Sequence, residues 1–130
     1  MINEDYVSFE TARLLKEKGF NVWGDGSYDS GIEIYKEYSP SGLLNSCATS
    51  KPHPKGYPAP TLQLAMKWIK ENYCLYIDIE LLSGPSFSWY IWFMNDPKHM
   101  MGCSEDTMHY YDTYEEACEA GIKYCLENLI

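Results

Sequence analysis

Leu75-Tyr76-Ile77-Asp78-Ile79-Glu80-Leu81-Leu82, then Ser83-Gly84-Pro85-Ser86, then Phe87-Ser88-Trp89-Tyr90-Ile91-Trp92-Phe93-Met94 read as two strands about a turn. In the first strand Leu75, Ile77, Ile79 and Leu81 alternate with Tyr76, Asp78, Glu80 and Leu82, the period of two that sends successive side chains to opposite faces of a sheet. The second is apolar on both faces, with Phe87, Trp89, Ile91 and Phe93 on one and Tyr90, Trp92 and Met94 on the other. Register then follows from parity. A symmetric four-residue loop sets Glu80 beside Trp89, whereas an odd-length loop or a bulge aligns Ile77, Ile79 and Leu81 with Trp89, Ile91 and Phe93. The second arrangement is the one expected. It leaves Tyr76, Asp78 and Glu80 beside Tyr90 and Trp92 on the opposite face, an aromatic surface that carries two carboxylates.

Helices flank this hairpin. Thr113-Tyr114-Glu115-Glu116 is a capping box that starts a helix at Tyr114, with Ala117, Gly121 and Cys125 stepping along it and Cys118, Ile122 and Leu129 extending its apolar face. Pro60 or Thr61 opens a helix to about residue 72, with Leu62, Ala65, Met66 and Ile69 inward and Trp68 at the edge. Ser8 caps a helix to about Lys18, with Val7 and Ala12 as a hydrophobic staple, Phe9, Ala12, Leu14 and Leu15 as its apolar stripe and Gly19 just past its end.

Strands are expected over 20–23 and 32–38 as a hairpin, and 107–111 as a last short strand. Prolines and glycines from Ser39 to Pro60 deny both helix and ladder, so that stretch reads as a long loop; 95–106 reads as a polar loop. The order is αββ-αββ(β)-α, which is α+β with an antiparallel sheet of four to five strands and three helices. At 130 residues and 15.0 kDa the chain is the size of one domain, 1–130.

Ten Lys and Arg against nineteen Asp and Glu give a net charge of −9. That sign disfavours nucleic acid and anionic membranes and admits a basic protein partner. The acidic start Met1-Ile2-Asn3-Glu4-Asp5 lacks the basic and apolar segments of a signal peptide, and no run approaches a membrane span, so a cytoplasmic location is expected. Five cysteines without a C-x-x-C pair suit reduced thiols.

Ser8-Phe9-Glu10-Thr11-Ala12-Arg13-Leu14-Leu15-Lys16-Glu17-Lys18-Gly19-Phe20, Ala59-Pro60-Thr61-Leu62-Gln63-Leu64-Ala65-Met66-Lys67-Trp68-Ile69 and Asp112-Thr113-Tyr114-Glu115-Glu116-Ala117 together resemble, in this order, a family of short uncharacterised proteins of gut anaerobic bacteria and their phages. The resemblance implies a mobile-element or prophage setting. It assigns no activity and no site residues.

Candidate chemistry is sparse. His99, Cys103 and His109 offer imidazole and thiolate donors near Asp96, Glu105 and Asp106, but their spacing matches no common zinc pattern and a fourth ligand must come from elsewhere. Cys47 and Cys103 are the loop thiols that a cysteine hydrolase would use with His53 or His99 as base. Gly24-Asp25-Gly26-Ser27 lacks the ending and the following helix of a phosphate loop, so no cofactor is expected. Lys51-Pro52-His53-Pro54-Lys55-Gly56-Tyr57-Pro58 is a locally basic, extended segment suited to a connector or to docking in a groove. Asp78 and Glu80 stand about 7 Å apart on one strand face, a distance that paired catalytic carboxylates can occupy, and the preferred reading is the solvated side of an antiparallel strand.

The leading expectation is a small acidic, non-enzymatic interaction domain that binds a protein through Tyr76, Asp78, Glu80, Tyr90 and Trp92, or through the Pro-rich loop. Alternatives are a small enzyme or metal- or ligand-binding domain built on 95–109, and an inhibitor whose carboxylates imitate nucleic-acid phosphates.

Overall fold

The hairpin pairs as parity requires. A computed structural model describes residues 5–22, 27–28, 57–84, 86–104 and 110–130. In it β3 (Leu75–Leu82) and β4 (Ser86–Phe93) run antiparallel, with Ile77 opposite Ile91, Ile79 opposite Trp89 and Leu81 opposite Phe87. Ser86 pairs with Leu82, which shortens the expected four-residue turn to the odd-length connection 83–85. Gly84 there takes φ 87°, backbone that glycine enters without a Cβ penalty.

The elements run α1 (Phe9–Glu17), β1 (Ser27–Tyr28), β2 (Tyr57–Pro58), α2 (Leu62–Tyr73), β3, β4, β5 (Asp96–Cys103) and α3 (Tyr114–Tyr124), the last continued by a π-helical turn, Cys125–Leu129. This is an α+β chain with antiparallel strands in two groups, β1-β2 and β3-β4-β5. The chain divides into two compact units, Met1–Ala65 and Met66–Ile130.

In the first unit α1 has both ends closed as its sequence dictates. Ser8 Oγ accepts from the Thr11 N–H at 3.2 Å. At the other end Gly19 takes φ 102°, Phe20 N–H donates to the Leu15 carbonyl at 2.9 Å and Gly19 N–H to that of Lys16 at 3.1 Å, a Schellman ending. Phe20 is fully buried, so the 20–22 segment serves as the apolar seal of a helix terminus and forms no strand. Thr11, Ala12 and Leu15 form the buried stripe; Phe9 is half-buried and meets the Tyr57 ring edge-on at 5.6 Å. Tyr6 and Thr61 bridge, with Val7 N–H donating to Pro60 O at 3.0 Å and Leu62 N–H to Asp5 O at 2.9 Å. β1 falls between the strands expected at 20–23 and 32–38, and β2 in the expected long loop. Trp23, the expected 32–38 strand, residues 39–56 of the expected loop and 105–109 lie outside the described residues.

In the second unit the odd-numbered face of the hairpin is the core: Leu75, Ile77, Trp89 and Ile91 are buried. α3 lies on this face. A Cβ at Gly121 would stand 2.9 Å from Ile77 Cγ2 and 3.4 Å from Trp89 Cβ, so glycine there lets the helix backbone approach the sheet. The Tyr124 ring packs at 4.7 Å from Trp89 and over Gly102, where a Cβ would meet it at 2.6 Å. Thr113 caps the helix by accepting from Glu116 N–H at 3.1 Å. Leu126 joins Ala117, Cys118, Ile122 and Cys125 in the core while Leu129 is only half-buried, because the π-helical turn shifts the apolar face.

The expected polar loop over 95–106 is instead the third strand. Phe93 pairs with Asp96 and Trp92 with Met100, so 97–99 is extruded from the ladder; a second irregularity leaves Met101 unpaired before Gly102 meets Ile91 and Cys103 meets Tyr90. Pro97 has no N–H to give a ladder, and Lys98 N–H turns to Asp96 Oδ1 at 3.3 Å. Of the expected 107–111 strand, Tyr111 makes a bridge to Phe87, with paired hydrogen bonds of 2.8 and 2.9 Å.

α2 passes into β3 through one residue. Cys74 has φ 58°, donates to Lys70 O and accepts from Met94 N–H at 2.8 Å. A side chain in this region costs about 1–2 kcal/mol.

Two stability tests follow in urea. Gly121→Val is expected to cost about 2–3 kcal/mol by overpacking against Ile77 and Trp89. Cys74→Gly is expected to raise stability by up to about 1 kcal/mol, and Cys74→Val to lower it by about 1–2 kcal/mol, since a β-branched side chain tolerates positive φ least.

Candidate functional site

The even-numbered face of β3 and β4 gathers the five residues expected there. Tyr76 pairs with Trp92, Asp78 with Tyr90 and Glu80 with Ser88, and paired residues on neighbouring strands share a face. Tyr76 is 47% exposed, Glu80 is exposed, and Asp78, Tyr90 and Trp92 are half-buried. Ser88 departs from the pattern: opposite exposed Glu80 it is fully buried, its hydroxyl without a partner among the described residues.

At the other end Tyr76, Trp92, Phe93 and Met94 line a shallow, open, mostly apolar depression of about 430 Å³. Phe93 belongs to the core face by parity. It reaches the depression at the register shift between Trp92 and Phe93, where three residues of β5 have no partner on β4. Parity carried no signal for this; Pro97 was the one visible hint of a broken ladder.

Asp78 and Glu80 make no ion pair among the described residues, whereas Arg13 pairs with Glu17 and Lys67 with Glu71 on helix surfaces. The face is therefore apolar at its Trp92 end and negatively charged along β3. Such a surface can take up a flat apolar group and a cation together.

Of the other candidates, His99 and Cys103 fall among the described residues. His99 is exposed within the extruded part of β5. Cys103, expected in a loop, is 5% exposed and paired with Tyr90. His109, His53 and Cys47 lie outside the described residues. Among the described residues no group of three or more His, Cys, Asp and Glu could hold a metal ion. Cys118 and Cys125 are buried on α3 and its continuation as small core residues. Burial pushes the Cys125 thiol from 9.0 up to about 12, which holds it protonated and inert. Among the described residues no helix is long and apolar enough to cross a membrane.

Comparison with protein-family models, with curated proteins and with solved structures gives no match.

The Cys125 thiol supplies a pH test. Its folded pKa is raised, so the folded chain keeps a proton that the unfolded chain releases above 9.0. Stability is then expected to fall by ~1.4 kcal/mol per pH unit between the two values on this account, with no contribution below them. Urea unfolding from about pH 8 to about pH 10.5 should show a shallower decline for Cys125→Ala than for the parent chain.

Proposed function

We propose that the protein is a non-enzymatic interaction module that binds another protein through the even-numbered face of its hairpin. The reading rests on one observation: half-exposed aromatic side chains around an open apolar depression, continuous with two carboxylates that no cation neutralises among the described residues. Aromatic anchors of this kind supply most of the energy of protein contacts, and surrounding charge sets which partner is admitted. A cytoplasmic location and the mobile-element setting implied by the family resemblance belong to the same proposal. The net charge of −9 supports a basic partner and counts against nucleic acid.

Trp92→Ala with Tyr90→Ala is expected to abolish partner capture, each truncation costing about 2 kcal/mol of binding, while the thermal unfolding transition survives. Quantitative mass spectrometry of proteins retained by the parent and by the double variant checks this. An unchanged set of captured proteins would sink the proposal, as would a native mass carrying a stoichiometric metal or small ligand.

A further inference from the structure

The edge of β3 away from β4 has no strand neighbour among the described residues and is shaped to receive one more strand. Met94 N–H donates to Cys74 O across the end of the β3–β4 ladder, so the even-numbered residues of β3 hydrogen-bond to β4. The reciprocal bonds between Phe87 and Tyr111 agree, since they point the odd-numbered residues of β4 the other way. The N–H and C=O groups of Ile77, Ile79 and Leu81 therefore face away from β4. Among the described residues β3 has β4 as its sole strand neighbour.

The two edges of the sheet differ. β5 carries a proline, a lysine and two breaks in register, features that natural sheets use against pairing with foreign strands. β3 has eight residues in unbroken register with no proline and no lysine. Its guard is electrostatic: Asp78 and Glu80 stand beside the outward-facing groups and make no ion pair among the described residues. On the opposite face Leu81 is 64% exposed next to half-buried Ile79.

We infer that β3 accepts an extended segment of a partner protein in which basic and apolar residues alternate. In an antiparallel ladder on this edge, the partner residues opposite Asp78 and Glu80 occupy the non-hydrogen-bonded sites, where facing side chains come closest. Those positions take lysine or arginine. The intervening residues pair their backbones with Ile77, Ile79 and Leu81 and lay apolar side chains beside Ile79 and Leu81. A second copy of this chain is the wrong occupant: antiparallel pairing about Ile79 would set Asp78 against the other copy's Glu80, on top of a charge of −9 on each chain. The inference rests on the proposed interaction role and names its partner class and mode.

The test uses the full chain and a short peptide alternating lysine and valine. Binding should slow hydrogen exchange at the Ile77, Ile79 and Leu81 amides by about tenfold or more. Asp78→Asn with Glu80→Gln should weaken it about tenfold, a size consistent with losing two cross-strand charge pairs. Methylating the valine backbone nitrogens of the peptide should abolish binding, because those N–H groups face β3, whereas methylating the lysine nitrogens should not; this arm needs no protein variant. Ile79→Pro should also block binding, since the N–H it removes points outward.

Equal binding of a peptide with its lysines and valines in two blocks would overturn the inference in favour of bulk charge attraction. So would binding that perturbs the Trp92 indole with no protection at Ile77, Ile79 and Leu81, an outcome that leaves the aromatic-face reading standing. Failure of the alternating peptide to bind, or self-association of the chain through β3, overturns it as well.

Discussion

Ile79 lies opposite Trp89, and that pairing governs the rest of the second unit. It puts Leu75, Ile77, Trp89 and Ile91 on one face, where Gly121 allows α3 to close over them. It puts Tyr76, Asp78, Glu80, Tyr90 and Trp92 on the other. It also fixes which backbone groups of β3 are spent on β4 and which point outward. A slip of one residue would exchange the faces, bringing Asp78 and Glu80 under the helix, and the cost of burying two carboxylates excludes that register far more firmly than the turn alone could. The connection has only to be odd in length, and Gly84 makes a short one feasible.

What the chain declares locally was legible in its sequence. Ser8 and Thr113 are caps because a hydroxyl can reach an N–H three residues on, and Gly19 ends α1 because the Schellman ending needs positive φ. The alternation in β3 is equally local. β5 was hidden because its ladder is interrupted twice, so Asp96, Pro97, Lys98 and His99 show no period of two and resemble a loop. The pairing of Ser27 with Pro58 was invisible for another reason: two residues carry no pattern, and their partner lies across the long Pro-rich stretch.

The candidate face divides along the same line. Its five members were visible because they follow parity on adjoining strands. Phe93 was not, since its place in the depression depends on the break in β5. Cys103 read as an accessible loop thiol only while 95–106 read as a loop; once it pairs with Tyr90 it becomes a buried strand residue. Burial, not composition, decides the chemistry of these cysteines, and a single chain's sequence reveals burial only where periodicity is intact.

The extruded 97–99 segment of β5 has a consequence for stoichiometry. A sheet with both edges smooth can be extended without limit, each added strand offering a fresh edge to the next molecule. Here the far side is blunted by Pro97 and the broken register, so this sheet can grow in one direction only. A strand added at β3, as inferred above, would leave this sheet with no second smooth edge among the described residues. On the inferred mode, strand addition to this sheet then stops at β3 and does not propagate as it would in a fibre.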